Sequence, residues 1–85
     1  MDTDNKTLKT VTHTFSGRLG QYKIIATTDV WNGNENDAFQ YAVFLGNEHL
    51  VHVGNWTSCT PDGLWRVHAG KLLKEYVESS EKRKP

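Results

Sequence analysis

Thr60-Pro61-Asp62-Gly63-Leu64-Trp65-Arg66-Val67-His68-Ala69-Gly70-Lys71-Leu72-Leu73-Lys74-Glu75-Tyr76 decides the fold, because it spells a helix from cap to core stripe. Thr60 suits the N-cap, Pro61 the first helical position, and Asp62 the positive end of the helix dipole. Trp65, Ala69, Leu72, Leu73 and Tyr76 recur at steps of three and four, giving one apolar stripe that must cover a sheet. The spacing predicts a helix from Pro61 to about Glu78. Its outer face carries Arg66, Lys71, Lys74, Glu75 and Glu78, with Lys71–Glu75 and Lys74–Glu78 spaced four apart and so self-paired. Gly63 and Gly70 each weaken helix propensity by about 1 kcal/mol relative to Ala, and Gly70 is expected at a close approach.

Upstream of this helix the chain alternates with period two. Ala38 to Leu45 puts Phe39, Tyr41, Val43 and Leu45 on one side; Gly46-Asn47-Glu48 turns it into a further strand, His49 to Thr57. A two-residue turn would add Leu50, His52, Gly54 and Trp56 to the aromatic face, and a three-residue turn His49, Val51 and Val53. Both faces of this hairpin carry apolar residues, as in central strands or in a sheet with a helix on one face and a partner on the other.

Two strands precede the hairpin. Thr7 to Phe15 places Val11, His13 and Phe15 on one face and threonines on the other. Gly17-Arg18-Leu19-Gly20 turns the chain into Gln21 to Trp31, where Tyr22, Ile24, Ala26 and Val30 share one parity. Ile25 and Trp31 break the polar parity. Asn32 to Asp37 reads as an acidic loop, since Asn and Asp tolerate left-handed conformations.

The expectation is one α+β domain spanning 1–85, a four-stranded antiparallel sheet (ββββα) with one C-terminal helix packed on one face. Residues 1–5 and 79–85 are expected to fray. A chain this short buries about 60% of the surface its unfolded form exposes, so there is no second core.

Ten basic and ten acidic residues cancel, which removes the global electrostatic case for nucleic-acid binding. One cysteine, Cys59, excludes an intrachain disulfide. The polar start of the chain lacks a signal-peptide run, so a reducing, cytoplasmic location is expected. No stretch approaches the roughly 18 apolar residues of a membrane span.

Catalytic templates fail at their second residue. Cys59 before the helix and His68 within it suggest a nucleophile pair, but no protease or nucleophile-elbow signature surrounds them, and a small buried Cys with a packed His is the simpler reading. His49, His52 and Cys59 offer metal-ligand types, but strand residues three apart face opposite ways unless a bulge intervenes. Asp29, Glu35, Asp37 and Glu48 lie mostly in polar turns, without the burial that raises a carboxyl pKa. Neither an enzyme nor a cofactor is expected, and no metal site.

Aromatic residues beside polar loops are the stronger lead. Trp31, Asn32, Asn34, Glu35, Asp37 and Trp56 form the expected partner-binding set, with Trp65 assigned to the core; completion of the core at the sheet edge is the competing reading of Trp31 and Trp56.

The hairpin and helix from Tyr41 to Tyr76 resemble the C-terminal half of a double-stranded RNA-binding domain. That family has a Lys-rich helix start, whereas Thr60-Pro61-Asp62-Gly63-Leu64-Trp65 has no Lys, which removes the phosphate contacts the resemblance would imply. The same shape looks like the partner-binding halves of antitoxin-type proteins. In size and layout the chain is similar to phage- or mobile-element-encoded inhibitors. The functional expectation is a non-enzymatic, stoichiometric protein-binding domain that blocks a host protein, such as a nucleic-acid-binding defence complex, by occupying its surface. The alternative is a nucleic-acid-binding regulator using Arg18, Lys23, Arg66, Lys71, Lys82, Arg83 and Lys84. A homodimer through the sheet face left open by the single helix is a third expectation.

Overall fold

The computed structural model describes residues 6–31, 34–35, 37–46, 49–58 and 63–82, without the side chains of residues 6, 31, 34, 35 and 49. The elements run β1 (Lys6–Ser16), β2 (Gln21–Trp31), β3 (Asn34–Glu35), β4 (Ala38–Leu45), β5 (His49–Thr57) and α1 (Trp65–Lys82). Four long antiparallel strands lie in the order β1-β2-β4-β5, with one helix on one face, and the two-residue β3 pairs with the end of β2. The α+β architecture thus matches the expectation from periodicity. The short β3 is an addition, since part of the acidic segment pairs as strand: Val30 with Glu35 and Trp31 with Asn34.

Period-two alternation sets the faces. Tyr22, Ile24, Ala26, Thr28 and Val30 of β2 are all buried, the first three against the helix, while the threonines 10, 12 and 14 of β1 point to solvent. Phe39 and Val43 of β4 join them, and α1 contributes Trp65, Ala69, Leu73 and Val77 at a strict spacing of four. Leu72 and Tyr76 pack at the flank of this stripe. Trp65 is fully buried among Ala26, Phe39 and Ala69, so its assignment to the core holds.

The β4–β5 register resolves the hairpin through a bulge. Leu45 pairs with His49 and Phe44 with Leu50, but Val43 pairs with His52, so Val51 is the extra residue. The connection therefore has the three-residue length, yet His52, Gly54 and Trp56 still share the aromatic face. Neither simple alternative was complete.

Helix boundaries differ from the sequence expectation at both ends. The helix starts at Trp65 rather than Pro61, because Gly63 sits at φ +73°, a left-handed conformation that a helix cannot contain. The Leu64 carbonyl then accepts the first helical hydrogen bond, from His68 N at 3.0 Å. Thr60, Pro61 and Asp62, expected to cap the helix, lie outside the described residues. At the other end α1 runs on to Lys82, past Glu78, so residues 79–82 are helical rather than frayed.

Glu81 explains the extension. One of its carboxylate oxygens accepts a hydrogen bond from Leu19 N at 3.0 Å in the β1–β2 turn, and the Arg18 guanidinium lies 3.9 Å from the other. A Cβ on Gly17 would collide with Glu81 and lie 2.8 Å from the Tyr22 ring, so the turn and the helix end meet only because residue 17 has no side chain. Gly70 is different: a methyl there would sit 3.5 Å from the His13 ring, an ordinary contact.

Candidate functional site

Strand order and helix placement make the two faces of the sheet unequal. Helix α1 packs over β1, β2 and β4, and its own backbone stays clear of β5. On that side β5 meets side chains of the helix: His52 stacks on Tyr76 at 5.2 Å, Trp56 stacks on His68 at 4.6 Å, and the Tyr76 hydroxyl donates to the Val51 carbonyl at 3.5 Å. Phe39 stacks on the other side of this group, 5.2 Å from Trp56, and the Tyr41 hydroxyl lies 3.1 Å from His52 Nε2. Trp56 is therefore a half-buried part of a packed aromatic row, which is the core-edge reading of that residue.

Among the described residues no helix covers the opposite face. Cross-strand register places Ile25, Ala42 and Val53 in one row, and Lys23, Phe44 and Leu50 in the next. Val53 is 60% exposed, Leu50 53% and Val51 38%, while Leu8 at the far side is 64% exposed. Lys23 Nζ lies 5.2 Å from the Phe44 ring centroid, so its charge stands at the border of this apolar strip. Sequence reading noted Ile25 as a break in parity and apolar character on both hairpin faces, but did not join them into one surface. The missing information was the register, which the bulge at Val51 controls.

Beside the strip lies a notch of about 390 Å³ lined by Leu8, Thr27, Asp29, Gln40 and Asn55 among others, with Phe39 and Trp56 also on its wall. It opens where the sheet divides. Pairing between β2 and β4 ends at Thr27–Gln40, and β2 then pairs with β3 from Val30 onward. Thr28 Oγ1 bridges the division by donating to the Ala38 carbonyl at 2.6 Å.

The expected partner-binding set is only partly brought to one place. Trp31 pairs with Lys6 and Asn34 through the backbone, but the side chains of Trp31, Asn34 and Glu35, and all of Asn32, lie outside the description. Asp37 departs from the expectation of a solvated turn residue: it is 7% exposed and accepts a hydrogen bond from Gly63 N at 2.9 Å. It ties the sheet to the approach of the helix.

The basic residues of the alternative reading gather only in part. Lys23 lies on the open sheet face, Arg66 is on the first turn of α1 with its guanidinium 4.9 Å from the Trp65 ring, and Lys82 is on the last turn. The helical rise separates Arg66 from Lys82 by about 24 Å. Arg18 meets Glu81, the residue before Lys82, so these two share the last turn of the helix; Lys71 is exposed, and Arg83 and Lys84 lie outside the described residues.

A bulge does separate His49 from His52 along the strand, but the side chain of His49 lies outside the description. No three His, Cys, Asp or Glu side chains among the described residues are placed to hold a metal ion. Cys59 lies outside the description, and His68 is stacked on Trp56. No helix among the described residues is long and apolar enough to cross a membrane. The chain matches no protein-family model, no curated protein and no solved structure.

Proposed function

We propose that this chain is a non-enzymatic protein-binding domain that acts by occupying a partner's surface, with the helix-free face of the sheet as its contact. The observation that carries the reading is the exposure of Leu50 and Val53 beside Phe44 and Ile25 on a face that none of the described elements covers. Contiguous exposed apolar surface of this kind marks interaction sites in small proteins. A stoichiometric inhibitor of the phage or mobile-element type works in this way, and the distance of Arg66 from Arg18 and Lys82, with Lys23 on the open sheet face, favours it over the nucleic-acid-binding alternative. The acidic segment at Glu35 would favour a basic partner site while repelling phosphate.

The test is affinity capture from lysate of the native host by the unaltered chain and by Phe44→Glu, Val53→Glu and Trp31→Ala variants. A protein held by the unaltered chain and by Trp31→Ala, and released by Phe44→Glu and Val53→Glu, supports the open face. Equal recovery by all four rejects it. Binding of DNA or RNA that falls steeply as salt rises supports the alternative instead.

A further inference from the structure

The sheet ends in two free edges, and they differ in charge. Strand β1 carries Lys6 and Lys9, and cations on an edge strand oppose pairing with another strand. Strand β5, His-Leu-Val-His-Val-Gly-Asn-Trp-Thr, contains no Asp, Glu, Lys, Arg or Pro. Among the described residues no strand pairs with its outer edge, and α1 bonds its backbone at Val51, whose carbonyl accepts from the Tyr76 hydroxyl at 3.5 Å, outside the stretch from His52 to Thr57. The one blunting device is the bulge at Val51, which lies toward the hairpin end and leaves His52 to Thr57 in regular register.

We propose that β5 pairs antiparallel with β5 of a second copy of this chain, forming one continuous sheet across a two-fold axis. Charge decides the occupant. A strand without charged residues meets itself with no like-charge contact, and the whole chain has a formal net charge of zero, so two copies approach without long-range repulsion. The same pairing at β1 would bring the lysines of both copies to the joint. An antiparallel two-fold pair keeps both helices on one side of the sheet, so the two apolar strips built around Val53 and Phe44 become neighbours on the other. The dimer would double the open face rather than consume it.

Sedimentation of the full chain from micromolar to millimolar concentration, with three variants, tests this pairing. Val53 is highly exposed, so Val53→Lys and Val53→Glu leave the core untouched, as circular dichroism would verify. Each variant alone should dimerise about tenfold more weakly or worse, through like charges near the axis. An equimolar mixture of the two should recover the dimer. Leu8→Lys, at the opposite side of the same face, should dimerise as the unaltered chain does. A strict monomer at millimolar concentration overturns the proposal without touching the partner-binding reading. Loss of dimer in Leu8→Lys with retention in Val53→Lys assigns association to the face and overturns edge pairing.

Discussion

Asp37 Oδ2 accepts a hydrogen bond from the Gly63 backbone amide at 2.9 Å, joining the start of β4 to the residue that sets the beginning of α1. A buried carboxylate at such a junction acts on stability. Asp37→Ala should destabilise the fold by about 1.5–3 kcal/mol, the range for a hydrogen bond to a charged group, and Asp37→Asn by less because an amide oxygen can still accept. Urea unfolding measures both. An unchanged unfolding midpoint in Asp37→Ala, accompanied by loss of a captured partner, would return Asp37 to the binding surface.

Gly17 and Gly70 both face packed neighbours, but with opposite consequences. Gly17→Ala forces a methyl against Glu81 and the Tyr22 ring and should cost about 1–3 kcal/mol, with weakened docking of the helix end. Gly70→Ala adds a methyl at ordinary distance from His13 and should be neutral or stabilise by up to about 1 kcal/mol through helix propensity. Thermal unfolding of the two variants should move in opposite directions.

Tyr22 supplies a pH dependence. Burial raises the pKa of its hydroxyl above the usual 10.0, and the nearby charge of Glu81, which also accepts its hydrogen bond, raises it further. A group whose folded pKa is raised contributes stability that is complete below the unfolded value and lost as pH rises through the folded one. The urea midpoint should therefore fall as pH climbs above 10, and Tyr22→Phe should flatten that fall. Identical slopes for the two proteins would remove Tyr22 as its source.

Gly54 lies against Tyr41, and a Cβ there would stand 2.7 Å from the phenolic oxygen. Gly54→Ala should cost about 1–3 kcal/mol and displace the Tyr41 hydroxyl from His52. Tyr41→Phe should relieve part of that cost, so the double variant should be more stable than the sum of the two single changes allows. Additive losses would mean that the strand shifts instead of the ring.

Much of this architecture was legible in the sequence because period two and period four are strong signals over long segments. Tyr22, Ile24 and Ala26 on one strand, and Trp65, Ala69 and Leu73 on the helix, declared their faces directly. The helix start was misplaced because Thr60, Pro61 and Asp62 have the composition of a cap, while the left-handed backbone at Gly63 is a conformational fact that composition only permits. Asp37 was assigned to the surface because an Asn- and Asp-rich segment reads as solvated, and a hydrogen bond to a residue 26 positions away has no local signature. The open face itself was expected from a single helix, but its apolar strip was hidden for a related reason: Ile25, Phe44 and Val53 become neighbours only once two registers and a bulge are known.

The extra residue at Val51 has a consequence for how this hairpin tolerates change in length. A strand normally transmits any insertion or deletion at its tip along its whole length, exchanging inward and outward side chains. Here the irregularity lies between the tip and the aromatic row, so it can absorb a one-residue change in the Gly46-Asn47-Glu48 connection while His52, Gly54 and Trp56 keep their orientation. A one-residue change in length at the tip should therefore be taken up at the bulge and leave the buried core unaltered.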